Sequence, residues 1–154
     1  MDIHYLADYP HHTEQIAQWN LDEWPSIYDG SLEKAVAYHA ATATRGGVPT
    51  CLVATENNIL LGVVCILMDD LENRPDLNPW LGALYVNPEF RGRGIARKLV
   101  EACMNEARKA QLDILYAWTK HLTPLFKSLG WNHIETVDAL GSPVNVLALT
   151  ISEK

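Results

Sequence analysis

The stretch LGALYVNPEFRGRGIARKLV, residues 81–100, gives the clearest structural signal in the sequence. Its start belongs to an apolar run that predicts a buried strand over 80–86, and 94–110 has the periodicity of an amphipathic helix. The helix opens with Gly92 and Gly94 and has no Ser, Asp or Asn cap. Its first N–H groups are therefore free, and the helix dipole adds about half a positive charge there. The segment predicts an anion site, and a phosphate or pyrophosphate fits it best.

Two common nucleotide-binding motifs do not match this loop. The Rossmann fingerprint G-x-G-x-x-G/A fails because its third small position is Arg97, and the Gly-Lys-Ser/Thr of a P-loop is absent. A glycine-rich turn with two solvated arginines, Arg91 and Arg93, is the simplest alternative to a binding site. The loop alone does not decide between these two interpretations.

The sequence on both sides of the loop predicts an α/β domain. Turn residues Glu56-Asn57-Asn58 join two β-rich runs and predict a hairpin, so the first half is antiparallel and a crossover lies in the middle. Proline, glycine and capping residues place four helices, over 12–23, 31–43, 94–110 and 124–129. Seven strands are expected over 3–6, 50–55, 59–68, 80–86, 114–118, 131–140 and 144–151, with the last two joined by 141–143.

Composition narrows the class of protein. The 154 residues contain 12 Lys and Arg against 19 Asp and Glu, a net charge of −7, and 48% are hydrophobic. This predicts one folded domain over 1–154 and argues against a nucleic-acid partner, whose phosphates require a basic surface. A small, cationic partner fits the charge better.

Location and metal content are predicted from the same sequence. The longest charge-free apolar stretch, 59–68, is about half of the ~20 residues that a membrane span requires, and the N-terminus has no signal pattern. A cytoplasmic protein without a membrane partner is therefore expected. The three cysteines lie in apolar runs and predict buried thiols, and the six histidines have no metal-ligand spacing, so no metal is expected.

RGRGIA, residues 91–96, resembles the R/Q-x-x-G-x-G/A signature of the GNAT-type N-acetyltransferases. The resemblance extends upstream through LYVNP, residues 84–88, and downstream to LGW, residues 129–131. It implies the GNAT fold: a mixed, mostly antiparallel sheet of six to seven strands flanked by about four helices. In that fold the strands 80–86 and 114–118 splay apart. It also implies acetyl-CoA as co-substrate and a primary amine of a small molecule or peptide as acceptor.

The same resemblance implies roles for individual residues. The acetyl group would lie between the splayed strands, where a backbone N–H near Tyr85 or Val86 would polarise the thioester. The pantetheine arm would pair with backbone at Leu84, Tyr85 and Val86. The pyrophosphate would bind the backbone of Arg91, Gly92, Arg93, Gly94, Ile95 and Ala96.

Two positions depart from the family pattern. Phe126 stands where the family often has a tyrosine that protonates the departing thiolate, and Thr119 stands where it often has a cofactor-contacting asparagine. Tyr85, Tyr116 and His121 are candidates for the missing acid, and the thiolate can also leave unprotonated. These departures keep a second function open, that of a non-catalytic acyl-CoA-binding module.

The general base and the acceptor site are less well marked. Asp69, Asp70 and Glu72 follow the strand 59–68; a solvated acidic loop is the simpler interpretation, and Asp70 is the candidate base. Glu23 is expected to attract a cationic acceptor, with Trp24 and Tyr28 as its walls. The sequence does not decide between a monomer and a homodimer.

Overall fold

The computed structural model describes residues 1–151, in which one seven-stranded mixed sheet is flanked by four helices. The strands are β1 (Asp2–Tyr5), β2 (Thr50–Glu56), β3 (Ile59–Leu67), β4 (Trp80–Val86), β5 (Ile114–Thr119), β6 (Asn132–Ala139) and β7 (Ser142–Thr150). The helices are α1 (Thr13–Glu23), α2 (Leu32–Ala41), α3 (Ile95–Lys109) and α4 (Thr123–Ser128). This confirms the predicted α/β class and its strand and helix order.

The strand order is β1-β2-β3-β4-β5-β7-β6. All neighbours are antiparallel except β4 and β5, which are parallel and pair at one position, Trp80 with Tyr116. The predicted crossover is therefore β4–α3–β5. Parallel neighbours need such a connection because a short turn cannot bring the chain back to the same end of the sheet.

The two hairpins use turns of only two residues. Asn57 and Asn58, with φ of 51° and 63°, form the predicted turn between β2 and β3. The predicted loop 141–143 is wrong, because Leu140 (φ 52°) and Gly141 (φ 83°) make the turn, and Ser142 and Pro143 are already paired in β7. Two positive φ values match the twist of the flanking strands.

Alternation along β2 and β3 directs apolar side chains to both faces of the sheet. Leu52, Val64 and Ile66 join α3 in the main core, whereas Val53 and Val63 pack with Ile16 of α1 on the other face. The helices thus cover both faces, and the central strands are almost wholly buried. The three cysteines, Cys51, Cys65 and Cys103, are buried and unpaired, as predicted.

Gly62 of β3 provides a test of this packing. A Cβ built there would lie 2.8 Å from Cδ1 of Leu99 and 2.9 Å from the backbone oxygen of Tyr85. Because that oxygen belongs to the neighbouring strand, we expect Gly62→Ala to lower the free energy of unfolding by about 1–3 kcal/mol in urea denaturation. Asn58→Gly, at a positive φ in the same hairpin, should leave stability unchanged or raise it slightly. Equal effects of the two substitutions would contradict the packing argument.

Candidate functional site

The parallel strands β4 and β5 separate, and a cavity opens between them. The strands are joined at Trp80 and Tyr116, beside a hydrogen bond of 3.0 Å from the Tyr116 N–H to the Pro79 carbonyl. Beyond this point a cavity of about 540 Å³ lies between them, lined by residues 81–84 on one side and 118–122 on the other. This is the splay that the family resemblance implied, and it exposes the edge of β4.

β4 carries a bulge at the edge of this cavity. Its register against β3 passes from Tyr85–Val63 to Gly82–Cys65, so Ala83 and Leu84 face the single residue Val64. Ala83 has a φ of 55°, a conformation that a residue with a Cβ seldom adopts. Because a bulge interrupts the ladder and bends the strand, backbone at these two residues is released from β3. Strained backbone of this kind clusters at functional sites.

The loop that follows β4 has the geometry predicted for an anion site. Gly92 (φ 82°) and Gly94 (φ 76°) are in the left-handed region, and a Cβ built on either would have no atom within 4 Å. Gly94 caps α3 without any side-chain hydrogen bond to the first turn. The first N–H groups of a 15-residue helix are thus open to a ligand.

Arginines surround this loop, each held by a contact. Arg91 donates from Nε to the Val86 carbonyl at 3.1 Å, and its guanidinium lies 5.3 Å from the centre of the Tyr85 ring. Arg93 pairs with Glu56 at 3.1 Å and, by hydrogen bonding, holds the pKa of that carboxyl below its ordinary value. The sequence did not predict this partner, which offsets part of the positive charge at the loop.

Asp70 lies at the other end of the site. Its carboxyl group packs against β4 where Gly82 has no side chain: a Cβ there would lie 2.9 Å from Cγ and Oδ2 of Asp70. Burial raises the pKa of Asp70 to about 8, and the Trp118 indole acts in the opposite direction. Asp70 is half-buried, so the expectation of a solvated acidic loop holds for the exposed Asp69 and Glu72 and not for Asp70. Asp70 lines the cavity.

Thr119 and Phe126 line the cavity but offer it little polar chemistry. Thr119 is 8% exposed, and its Oγ1 accepts hydrogen bonds from the N–H groups of His121 (3.3 Å) and Leu122 (2.9 Å). Phe126 is 1% exposed and meets Trp131 edge-on, with ring centres 5.0 Å apart. The position of the expected acid is thus a core residue with no proton to donate.

The structure brings together some of the other predicted residues and not all of them. Glu23, Trp24 and His121 line the cavity. The Tyr85 side chain does not; its ring packs on Trp19 at 5.2 Å. Tyr28 also lies outside, buried and with its hydroxyl 3.1 Å from Nε2 of His39. Cavity residues that the sequence did not suggest are Lys120, Leu122, Leu140 and Gly82.

The position of Gly82 in the sequence could have identified it as a site residue. A glycine inside an apolar strand marks close approach by another group, and here that group is the Asp70 carboxyl. Lys120, Leu122 and Leu140 lie in or next to turns and follow no pattern that would identify them.

Comparison with known families fits this geometry. The model of the acetyltransferase (GNAT) family matches residues 13–131. The chain belongs to the GNAT family of acetyltransferases. The matched segment includes the cavity residues of β4 and β5 and the glycine loop, and the family assignment makes the protein an acetyltransferase.

Solved structures share the whole fold at low sequence identity. An aminoglycoside 6'-N-acetyltransferase complexed with coenzyme A has a TM-score of 0.78 at 14% identity, over 100% of this chain and 99% of that one. The protein yncA from Salmonella typhimurium, with its cofactor acetyl-CoA, gives 0.76 at 18% identity, over 99% and 95% of the chains. A ribosomal-protein-alanine N-acetyltransferase from Brucella melitensis gives 0.72 at 20%, over 97% and 99%. A search of curated proteins finds no significant match.

Two further findings concern residues 1–151. None of their helices combines the length and the apolar character needed to cross a membrane. No group of three or more His, Cys, Asp or Glu side chains within the same residues could hold a metal ion.

The pKa of Asp70 predicts how stability changes with pH. The folded protein keeps the Asp70 proton, whereas the unfolded chain loses it near pH 4. The contribution of Asp70 to the free energy of unfolding is therefore fully present below pH 4 and is lost as the pH rises through about 8. Between pH 4 and pH 8 we expect the wild type to lose a few kcal/mol of unfolding free energy relative to Asp70→Asn. Urea denaturation at several pH values measures it. Asp69→Asn is the control, and a pH-independent difference for Asp70→Asn would contradict the burial argument.

Proposed function

We propose that this protein transfers the acetyl group of acetyl-CoA to a primary amine of a small molecule or peptide. The observation that carries the proposal is the continuity of three features: the gap between β4 and β5, the bulge at Ala83, and the glycine loop at the start of α3. An extended ligand with an anionic end fits them together, since its anion meets the helix N-terminus while its other end reaches the gap.

The residues around the loop and β4 fit coenzyme A. Its pyrophosphate would bind backbone N–H groups over 91–96, where Gly92 and Gly94 leave room and Arg91 and Arg93 add charge. Its pantetheine arm would pair with the exposed edge of β4 over 84–86. Arg91 already occupies the Val86 carbonyl, which leaves Leu84 and Tyr85 as the backbone available for this pairing.

Acetyl-CoA, when bound, supplies the acetyl group as a thioester. The acceptor nitrogen forms a bond to the acetyl carbon, the carbon–sulfur bond breaks, and one proton leaves the nitrogen. A backbone N–H at the bulge, with Leu84 as the first candidate, would stabilise the negative charge that develops on the carbonyl oxygen. Asp70, which lines the same cavity, would accept the proton from the amine.

The departing sulfur would not receive its proton from position 126, because Phe126 has none to give. Thiols have a pKa near 8.5, so the thiolate can leave without general-acid help. His121 lines the cavity and is exposed, which makes it the candidate that later returns a proton to the sulfur. We place the reaction in the cytoplasm, where buried unpaired thiols such as Cys51 and Cys65 persist.

The alternative function, a non-catalytic acyl-CoA-binding module, makes a different prediction. It requires tight acetyl-CoA binding without release of free thiol in the presence of any amine. A screen of primary amines with detection of released thiol separates the two functions, and thiol release that depends on the amine supports the enzyme.

The glycine loop gives a direct test of coenzyme A binding. We expect Gly94→Val to weaken coenzyme A binding by at least about 100-fold in isothermal titration calorimetry, because the side chain would occupy the path of the pyrophosphate. Gly47→Val is a matched control, since Gly47 also has a positive φ (82°) and open space around its Cβ position. Similar affinities in the two variants would remove the anion site from the proposal.

The role of Asp70 predicts a pH dependence of catalysis. As a base with a pKa of about 8, it accepts a proton only when ionised, so kcat/KM attributable to it should rise up to about pH 8 and then level off. We expect Asp70→Asn to lower kcat/KM by about 100-fold above pH 8 and to abolish the rise of kcat/KM below pH 8. The ratio of wild type to variant cancels ionisation of the acceptor itself. Asp69→Asn should behave as wild type, and a ratio that stays flat with pH would exclude Asp70 as the base.

A further inference from the structure

A second, smaller pocket adjoins the main cavity. Its volume is about 30 Å³, enough for one or two groups the size of a water molecule. It shares a wall with the cavity, formed by Trp24, Asp70, Ala83 and Trp118. The residues that belong to it alone come from α1, α2, β3 and the turn after α1: Asn20, Ile27, Tyr28, Tyr38 and Leu67.

Asn20, a residue of the pocket wall, has a side-chain oxygen without a hydrogen-bond donor in the described part of the chain. The side chain is 0% exposed, and its Nδ2 donates to the Ile16 carbonyl at 3.0 Å, which fixes the orientation of the amide. Its Oδ1 is buried and has no hydrogen-bond partner among residues 1–151. Buried polar atoms are nearly always hydrogen-bonded, so this oxygen is an unused acceptor on a residue of the pocket wall.

The rest of the lining favours a cation as that donor. Trp24 meets Trp118 edge-on at 6.4 Å, and Tyr28 meets Tyr38 at 5.6 Å, so four aromatic rings enclose the pocket. Asp70 contributes a carboxyl group, and the lining residues that the structure describes include no Lys, Arg or His. Aromatic faces with oxygen acceptors attract an ammonium group and offer nothing to an anion.

We propose that this small pocket binds a second, non-reacting ammonium group of the acceptor, so that the preferred acceptors are diamines or polyamines. The inference rests on the proposed function and refines its acceptor class. Transfer requires the reacting nitrogen beside β4 in the main cavity, near Leu84 and Phe126, and neither residue lines the small pocket. A nitrogen held in the small pocket is therefore separated from the thioester, and the acceptor needs another amine to react.

Substrate comparison tests the proposal directly. Straight-chain diamines from propane to hexane are compared with amino alcohols of the same lengths, with kcat/KM measured for each. We expect the best diamine to exceed its matched amino alcohol by at least about tenfold, because only the diamine places a cation among the rings. Equal kcat/KM values across the series would overturn the proposal, and acetyl transfer itself would still stand.

Variants link this preference to the pocket. Asn20→Leu removes the unpaired oxygen at similar size, and Tyr38→Leu removes a ring from a residue that is 37% exposed and tolerates substitution more readily. In both variants the ratio of kcat/KM for the diamine to kcat/KM for the amino alcohol should fall close to one. The kcat/KM for the amino alcohol itself should stay nearly unchanged. Tyr9→Leu, the same change at a tyrosine that packs on His4, is the control and should keep the preference. A preference that survives both pocket variants would refute the assignment.

A binding measurement separates this inference from the proposed function. Diaminobutane and butanediol, which has no amine, are titrated into ¹⁵N-labelled protein without acetyl-CoA, and the indole signals of Trp24 and Trp118 are followed. Stronger saturable shifts with the diamine, weakened in Tyr38→Leu, support the ammonium site even if no amine is acetylated. Identical responses to both compounds would show that the pocket does not select an ammonium group, and would overturn the inference.

Discussion

The parallel strands β4 and β5 pair only at Trp80 and Tyr116, and the point where this pairing stops determines where the rest of the site lies. A parallel pair needs a crossover, and the crossover helix α3 must begin at the end where β4 stops. The strands separate toward the same end, so the start of α3 and the open gap adjoin one another. In open α/β sheets, ligands bind outside the carboxyl ends of such strands. Had β4 and β5 remained paired along their length, β4 would have no exposed edge to offer.

The sequence predicts best those features that are formed by residues close together in the chain. The loop from Arg91 to Ala96 was predicted because its glycines, missing cap and following amphipathic helix are neighbours in the chain. The turn at Leu140 was missed because leucine is rarely found at positive φ, and the nearby glycine and proline suggested a longer loop. In both cases the local chemistry of the backbone decides the outcome.

The candidate site was predicted less completely because its key contacts join distant segments. Asp70 was expected in solvent, and its partial burial depends on Gly82 of β4 and Trp118 of β5, which lie far from it in the sequence. Tyr85 was a candidate acid, but its ring packs on Trp19, on the face opposite to α3. The unpaired oxygen of Asn20 had no sequence signal at all, since it follows from what surrounds it in the fold.

Charge is distributed unevenly along the site, which explains why the net charge of −7 is compatible with an anionic co-substrate. At one end Arg91 and Arg93 lie beside a helix N-terminus, and at the other Asp70 and Glu23 lie near aromatic rings. Because interactions between exposed charges are screened within about 10 Å, each end acts on its own ligand. The overall excess of acid is therefore consistent with the proposed cationic acceptor, while the positive loop remains local. Because burial raises the pKa of Asp70 to about 8, this carboxyl group is mostly protonated at neutral pH and adds little buried charge to the cavity.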